Sequence, residues 1–390
     1  MKKPLIKRID DIKDILLGII KTKSYWQEFS INSGILLIAK VYGMGLGVIE
    51  LTIILRAIGV EQYGVLGLVI AYSSAVNQLF DVRIWETVVR FLTLFINEGD
   101  FKKSAALLEF CAIVDLLTGV LAFFVVTISA FPASQIFISG NIQASSYIRF
   151  YALFLLFSTM DGTTTAALRV FNHFNLLAGL AAFQKTVEVI VLFILLSKNA
   201  SIDSIIMAYI ISTLTYTLLK LILTIQKCPQ NIKNHFSEIT ITHLHKILPL
   251  KELLKFILQT NIFATINMMN GGAEILLLGF LSTPLQVGYF KMARQIVNII
   301  SGLSAPFYEV SYPLLSNIWK KESKAELKKV ISQISLIMSS IIIPIIIIVL
   351  IFQKQLVSLI SGEYTENIAP LLAWLASATA VRIIFLWIHP

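Results

Sequence analysis

Apolar runs of membrane-spanning length recur along this 390-residue chain, and they leave little choice of fold. The stretch 336–352, broken only by two serines and a proline, is one of them. About 20 such residues, wound as a helix, cross a hydrocarbon core. Backbone N–H and C=O groups have no water to bond in lipid, so a span must be a helix or part of a closed barrel. The runs are about twice the length of barrel strands, which leaves helices. The chain is 56% hydrophobic and 14% charged, against about 25% charged in soluble domains. The expected fold is therefore all-α, a polytopic transmembrane helical bundle.

Ten long helices are expected, near 31–54, 64–81, 105–131, 147–169, 176–197, 202–225, 253–281, 286–316, 330–352 and 367–388. With the N-terminus in the cytoplasm, their loops sort the basic residues. The inner side receives the N-terminal tail, Arg90, Lys102, Lys103, Arg169, the lysines from Lys220 to Lys255 and those from Lys320 to Lys329. The outer side receives Arg56, Arg149, Lys198 and Lys354. That asymmetry obeys the positive-inside rule. Residues 1–30 hold Ile6, Ile9, Ile12, Leu16 and Ile19 at helical spacing among lysines, the pattern of an amphipathic helix lying on the cytoplasmic surface.

The net charge of +9 belongs to these loops and does not point to nucleic acid. Cys111 lies in an apolar run and Cys228 in a basic loop, so no disulfide is expected. No metal-ligand spacing, nucleotide loop or hydrolase motif is present, and no cofactor is implied.

The longest polar stretch separates a first six-helix bundle (31–226) from a second bundle (251–390), with a cytoplasmic linker at 227–250. An offset of 224 residues places Gly47 on Gly271, Glu50 on Glu274, Gln62 on Gln286 and Gly64 on Gly288. Two parallel six-helix repeats around a central cavity would produce this register. Only four helices are visible in the second bundle, so the second repeat is expected to be truncated.

Three segments carry a family resemblance. Arg56-Ala57-Ile58-Gly59-Val60-Glu61-Gln62-Tyr63-Gly64 resembles the first outer turn of the polysaccharide transporter (oligosaccharide flippase) family. Ala167-Leu168-Arg169-Val170-Phe171-Asn172-His173-Phe174 is similar to its fourth-helix exit. Glu274 to Gly279, followed by Val287-Gly288-Tyr289-Phe290, resembles its seventh helix, where the family usually has Asp in place of Glu274. The resemblance implies two bundles around a cavity, working by alternating access. It implies export of undecaprenyl-diphosphate-linked oligosaccharide across the bacterial inner membrane, for polysaccharide or lipopolysaccharide biosynthesis, by a multi-pass protein that is not an enzyme. The implied partners are the lipid-linked oligosaccharide, membrane lipids, and polysaccharide polymerase and assembly proteins. Two alternatives stay open: a cation-coupled antiporter of the related multidrug type, and a membrane polysaccharide polymerase.

Ionisable groups inside spans are expensive and mark functional sites by default. Lys291 and Arg294 lie at i and i+3 without an acid nearby in sequence. They are read either as a diphosphate site, which suits Arg forks and Lys point charges, or as partners of Glu274 or Glu309. Arg83, with Glu86 and Arg90 on one helix face, is either a charged cavity wall or a local ion pair at the membrane surface. Arg169 joins the substrate-binding cations. Asp161, Glu50 and Glu274 are the candidate coupling or cavity acids, with structural pairing as the other reading. Asp115 is a weaker candidate of the same kind. Lys185 and Glu188 read as a structural ion pair.

Overall fold

The computed structural model describes residues 25–80, 82, 84–138, 141–236, 244–267, 272–302, 324–361 and 365–385, and among these the regular structure is helical. The surface helix expected within residues 1–30, and Asp81, Arg83 and Glu309, lie outside the described residues.

Helix α1 spans Tyr25–Phe80, 56 residues. A straight helix of that length would measure about 84 Å, against a hydrocarbon core of about 30 Å. Gly59 breaks it, with φ 76° and ψ 171°, a conformation open essentially to glycine alone. Two crossings were expected with a loop between them; one glycine makes the break, and helix resumes at once.

The amphipathic α2 (Ile84–Asn97) follows as a helix of its own, not as the end of the second span. Its Ile84, Val88, Phe91, Leu92 and Phe95 recur at helical spacing and are buried. The long α3 (Phe101–Phe137) is capped by Asp100, whose carboxylate accepts from the Lys103 N–H at 3.0 Å.

The single helix expected at 147–169 is two: α4 (Ile142–Phe157) and α5 (Asp161–Val170). Hydroxyls offer the backbone other partners at the junction. Ser158 Oγ donates to the Leu155 carbonyl at 3.0 Å, and Thr164 Oγ1 to that of Met160 at 2.6 Å. Asp161 therefore begins a helix and does not lie in the middle of one.

Helices α6 (Phe174–Lys198) and α7 (Ile202–Lys227) complete the first half. Short helices α8 (Gln230–Phe236) and α9 (Leu244–Ile247) lead to α10 (Leu250–Asn267). The helix expected at 253–281 is also divided, since α11 (Ala273–Leu281) starts afresh after Gly272, at φ 128°. Then come α12 (Pro284–Gly302), α13 (Lys324–Ile351), α14 (Gln353–Ser361) and α15 (Thr365–Ile384). Pro344 lies inside α13 without ending it.

Six of the described helical stretches are long and apolar enough to cross a membrane: 38–80, 101–137, 174–198, 202–227, 330–351 and 366–384. Helix α12 carries Lys291 and Arg294, α10 carries Lys251, Glu252 and Lys255, and α4, α5 and α11 are shorter, so none of them is among the six.

Two buried clusters hold the bundle. The larger joins Leu66, Leu68 and Val69 of α1 to Ile205 of α7, Ile296 of α12 and Leu372 of α15, so both halves share it. The smaller joins α2 and α3 to Ile232, Leu244, Leu253 and Ile257, so the segment between the halves is packed and not merely a tether. In lipid the gain comes from close packing and hydrogen bonds more than from leaving solvent.

Candidate functional site

Three adjoining cavities run through the helices. A central one, of about 670 Å³, lies between first-half helices and α12. Its walls include Lys40 of α1, Asp161 and Arg169 of α5, Lys185 of α6, Tyr216 of α7, and Gln295 and Asn298 of α12. A smaller chamber of about 320 Å³ shares Gly47, Lys185 and Gln295 with it and adds Glu50, Glu188, Tyr209 and Lys291. A third, of about 670 Å³, lies inside the first half and shares Asp161, Thr165 and Tyr216 with the central cavity.

Helix α5 places a charge at each of its ends. Asp161 is in its first turn and Arg169 in its last, and each sign suits the partial charge of that helix end. The Arg169 guanidinium lies 5.2 Å from the centroid of the Trp85 ring. Among the described residues no carboxylate pairs with Lys40 or Arg169.

The acids are matched differently. Asp161 pairs with Lys220, whose side chain is fully buried. Lys220 Nζ also donates to Thr165 Oγ1 at 2.9 Å and to Tyr216 Oη at 3.3 Å. Glu50 pairs with Lys185 and accepts from Tyr209 Oη at 2.7 Å, while Lys185 also reaches Glu188 at 2.6 Å. One ammonium thus bridges two carboxylates, one from α1 and one from its own helix. Asp115 of α3 accepts from the Thr163 N–H at 3.0 Å and from its hydroxyl at 2.7 Å.

The two cations expected on α12 separate. Lys291 lines the smaller chamber with its ammonium 4.4 Å from the Tyr63 ring centroid, its stem lying along Gly67. Arg294 pairs with Glu274 across α11 and α12, the second of the two arrangements expected for it. Arg169 and Asp161 come together in the central cavity; Glu50 is in the smaller chamber; Arg294 and Glu274 line none of the three. Arg83 lies outside the described residues, and its neighbour Arg90 packs over the Phe256 ring at 4.5 Å.

Lys220 corrects the basic-loop reading. It lies inside the bundle and not in a cytoplasmic loop. Its neighbours Leu218, Leu219, Leu221 and Ile222, and a helix continuing to Lys227, were the legible signal. Lys40, Gln295 and Asn298 went unread because single polar residues in long apolar helices carry no period of their own.

Solved structures of similar fold include multidrug resistance transporters. An inward-facing multidrug resistance MATE family transporter of the MOP superfamily matches with a TM-score of 0.65 at 15% identity, covering 89% of this chain and 80% of that one. An outward-facing structure gives 0.57 at 15% identity, covering 91% and 82%. A MOP superfamily transporter from Pyrococcus furiosus, described as having a binding pocket of reverse polarity, gives 0.55 at 17% identity, covering 90% and 79%. At these identities the likeness is one of fold. No curated protein matches the sequence. Residues 53–370, which carry every cavity wall named above except Lys40, Gly47 and Glu50, match a family described as polysaccharide biosynthesis protein. On that match, the chain belongs to the polysaccharide biosynthesis protein family.

Proposed function

We propose that this membrane protein is a flippase for lipid-linked oligosaccharide, carrying an undecaprenyl-diphosphate-linked glycan across the bacterial cytoplasmic membrane by alternating access. The central cavity carries the reading. It presents Lys40 and Arg169 from two helices with no carboxylate partner among the described residues, beside Lys185, which Glu50 and Glu188 hold, and its acid Asp161 is already matched by Lys220. Arg forks and Lys ammonium groups suit a diphosphate, and a cavity between half-bundles is where alternating access works. The N-terminus is cytoplasmic in this reading, by the positive-inside distribution. Glycan polymerase and assembly proteins are the partners it implies.

The multidrug reading is favoured by the fold alone. A site for cationic drugs needs uncompensated negative charge, yet Asp161 holds Lys220, and Glu50 and Glu188 share Lys185 in a chamber that Lys291 also lines. Expression in a bacterium lacking its own sugar-lipid flippase tests the proposal. Surface glycan should return while the lipid-linked intermediate falls. Protein present in the membrane of the producing organism's own flippase-deletion strain, with glycan still absent, would overturn it.

A further inference from the structure

We propose that the cavity inside the first half is the seat of the sugar headgroup, adjoining the cationic cavity that would hold the diphosphate; this rests on the flippase reading. Sugars offer hydroxyl edges and apolar C–H faces. Their sites therefore combine neutral hydrogen-bonding groups with aromatic walls. The cavity has both: Asn77, Gln184 and Thr217 stand beside Phe80, Trp85 and Phe154.

The Thr217 hydroxyl is the independent sign of a ligand. It is buried and has no hydrogen-bond partner in the protein. Such a group costs free energy unless something else bonds it. Thr217 lines the cavity, whose volume of about 670 Å³ is within the roughly 300–1,000 Å³ of small-molecule sites.

Charge fits as well. Asp161 on the shared wall is matched by Lys220, and Asp115 is engaged by Thr163. The chamber offers hydrogen bonds while the unmatched cations stay next door. An anionic linkage followed by a neutral, hydroxyl-rich head would lie across the shared wall of Asp161, Thr165 and Tyr216. The Arg169 guanidinium over Trp85 ties the two compartments, since Arg169 lines one and Trp85 the other.

The test uses the purified full chain and two probes: lipid-linked glycan extracted from the producing organism, and prenyl diphosphate without sugar. Wild type should bind the glycolipid more tightly. Thr217→Val keeps the shape, removes an unpartnered hydroxyl and should leave the melting temperature unchanged or raised. It should weaken glycolipid binding by about two- to tenfold, one hydrogen bond's worth, with prenyl diphosphate binding unchanged. Asn77→Ala should act in the same direction. Equal binding of both probes by wild type, variants that weaken both probes alike, or variants that change neither would overturn the sugar seat while leaving the flippase reading standing. Failure of wild type to bind either probe would overturn both.

Discussion

Gly64 and Gly288 face each other where α1 crosses α12, each set against the backbone four residues before the other. A Cβ on Gly64 would overlap the Pro284 carbonyl oxygen and lie 2.8 Å from the Gly288 nitrogen. A Cβ on Gly288 would overlap the Val60 carbonyl oxygen and lie 3.0 Å from the carbonyl carbon. The two glycines are among the positions that the 224-residue offset pairs. Backbone cannot swing aside as a side chain can, so each methyl must push the helices apart. Gly64→Ala and Gly288→Ala should each destabilise by about 1–3 kcal/mol, as overpacking does. The double variant should lose less than the sum, because both strain one contact. Thermal unfolding in detergent checks this, and unchanged melting in both single variants would show that the helices separate freely.

Lys220 and Asp161 should behave as a unit. Lys220 is fully buried, whereas the Asp161 side chain is 51% exposed and lines the cavity. Removing one member of a buried pair typically costs about 3–5 kcal/mol, and the open side of Asp161 places this case at the lower end. Asp161→Asn, which strands a buried ammonium, should lower the melting temperature. Asp161→Asn with Lys220→Met should recover most of the loss. A double variant as unstable as the single one would show that the hydrogen bonds to Thr165 and Tyr216 matter more than the charge.

How much of this was legible depended on whether the signal was periodic. Apolar runs fix the spans because every residue in them votes, and α1, α3, α6, α7 and α13 lie where the runs lie. The break between α4 and α5 rests on a few hydroxyls, Ser158 and Thr164 among them, competing for carbonyls. Runs of Ser and Thr inside apolar sequence are read equally well as helix. Asp161 could be named because a charge in a span is rare, and Arg169 stood in the segment similar to the family's fourth-helix exit, but their partners could not be named. Lys220 and Trp85 lie 59 and 84 residues from Asp161 and Arg169, respectively, and only the folded bundle brings them together. Arg294 differs, since its acid Glu274, on the neighbouring helix, was one of the partners the sequence offered.

That pairing makes its own prediction. If Arg294 serves Glu274 and not the substrate, Arg294→Gln should impair stability and export together. Glu274→Gln in the same chain should restore both, since neither charge then remains alone. Export that stays low in a double variant of normal stability would return Arg294 to the substrate.

Arg169 should separate planarity from charge. Its guanidinium lies 5.2 Å from the Trp85 ring centroid and lines the central cavity without a carboxylate partner among the described residues. A guanidinium stacks on an indole and grips a phosphate with two parallel N–H donors; a lysine ammonium can supply only the charge. Arg169→Ala loses both, so glycan export per unit of membrane protein should fall by about tenfold or more, the effect of losing one charged hydrogen bond of about 1.5–3 kcal/mol. Arg169→Lys should fall between wild type and alanine. Trp85→Phe keeps a ring and should weaken export less than Arg169→Ala. The comparison is informative because Arg169 is in the last turn of α5, exposed to the cavity, where its removal strands no buried acid. Folding should therefore be unaffected, and melting temperatures within error of wild type are part of the expected result. Full export by Arg169→Ala would show that the cavity holds the diphosphate without a guanidinium, and full export by Arg169→Lys that charge alone is what the cavity requires.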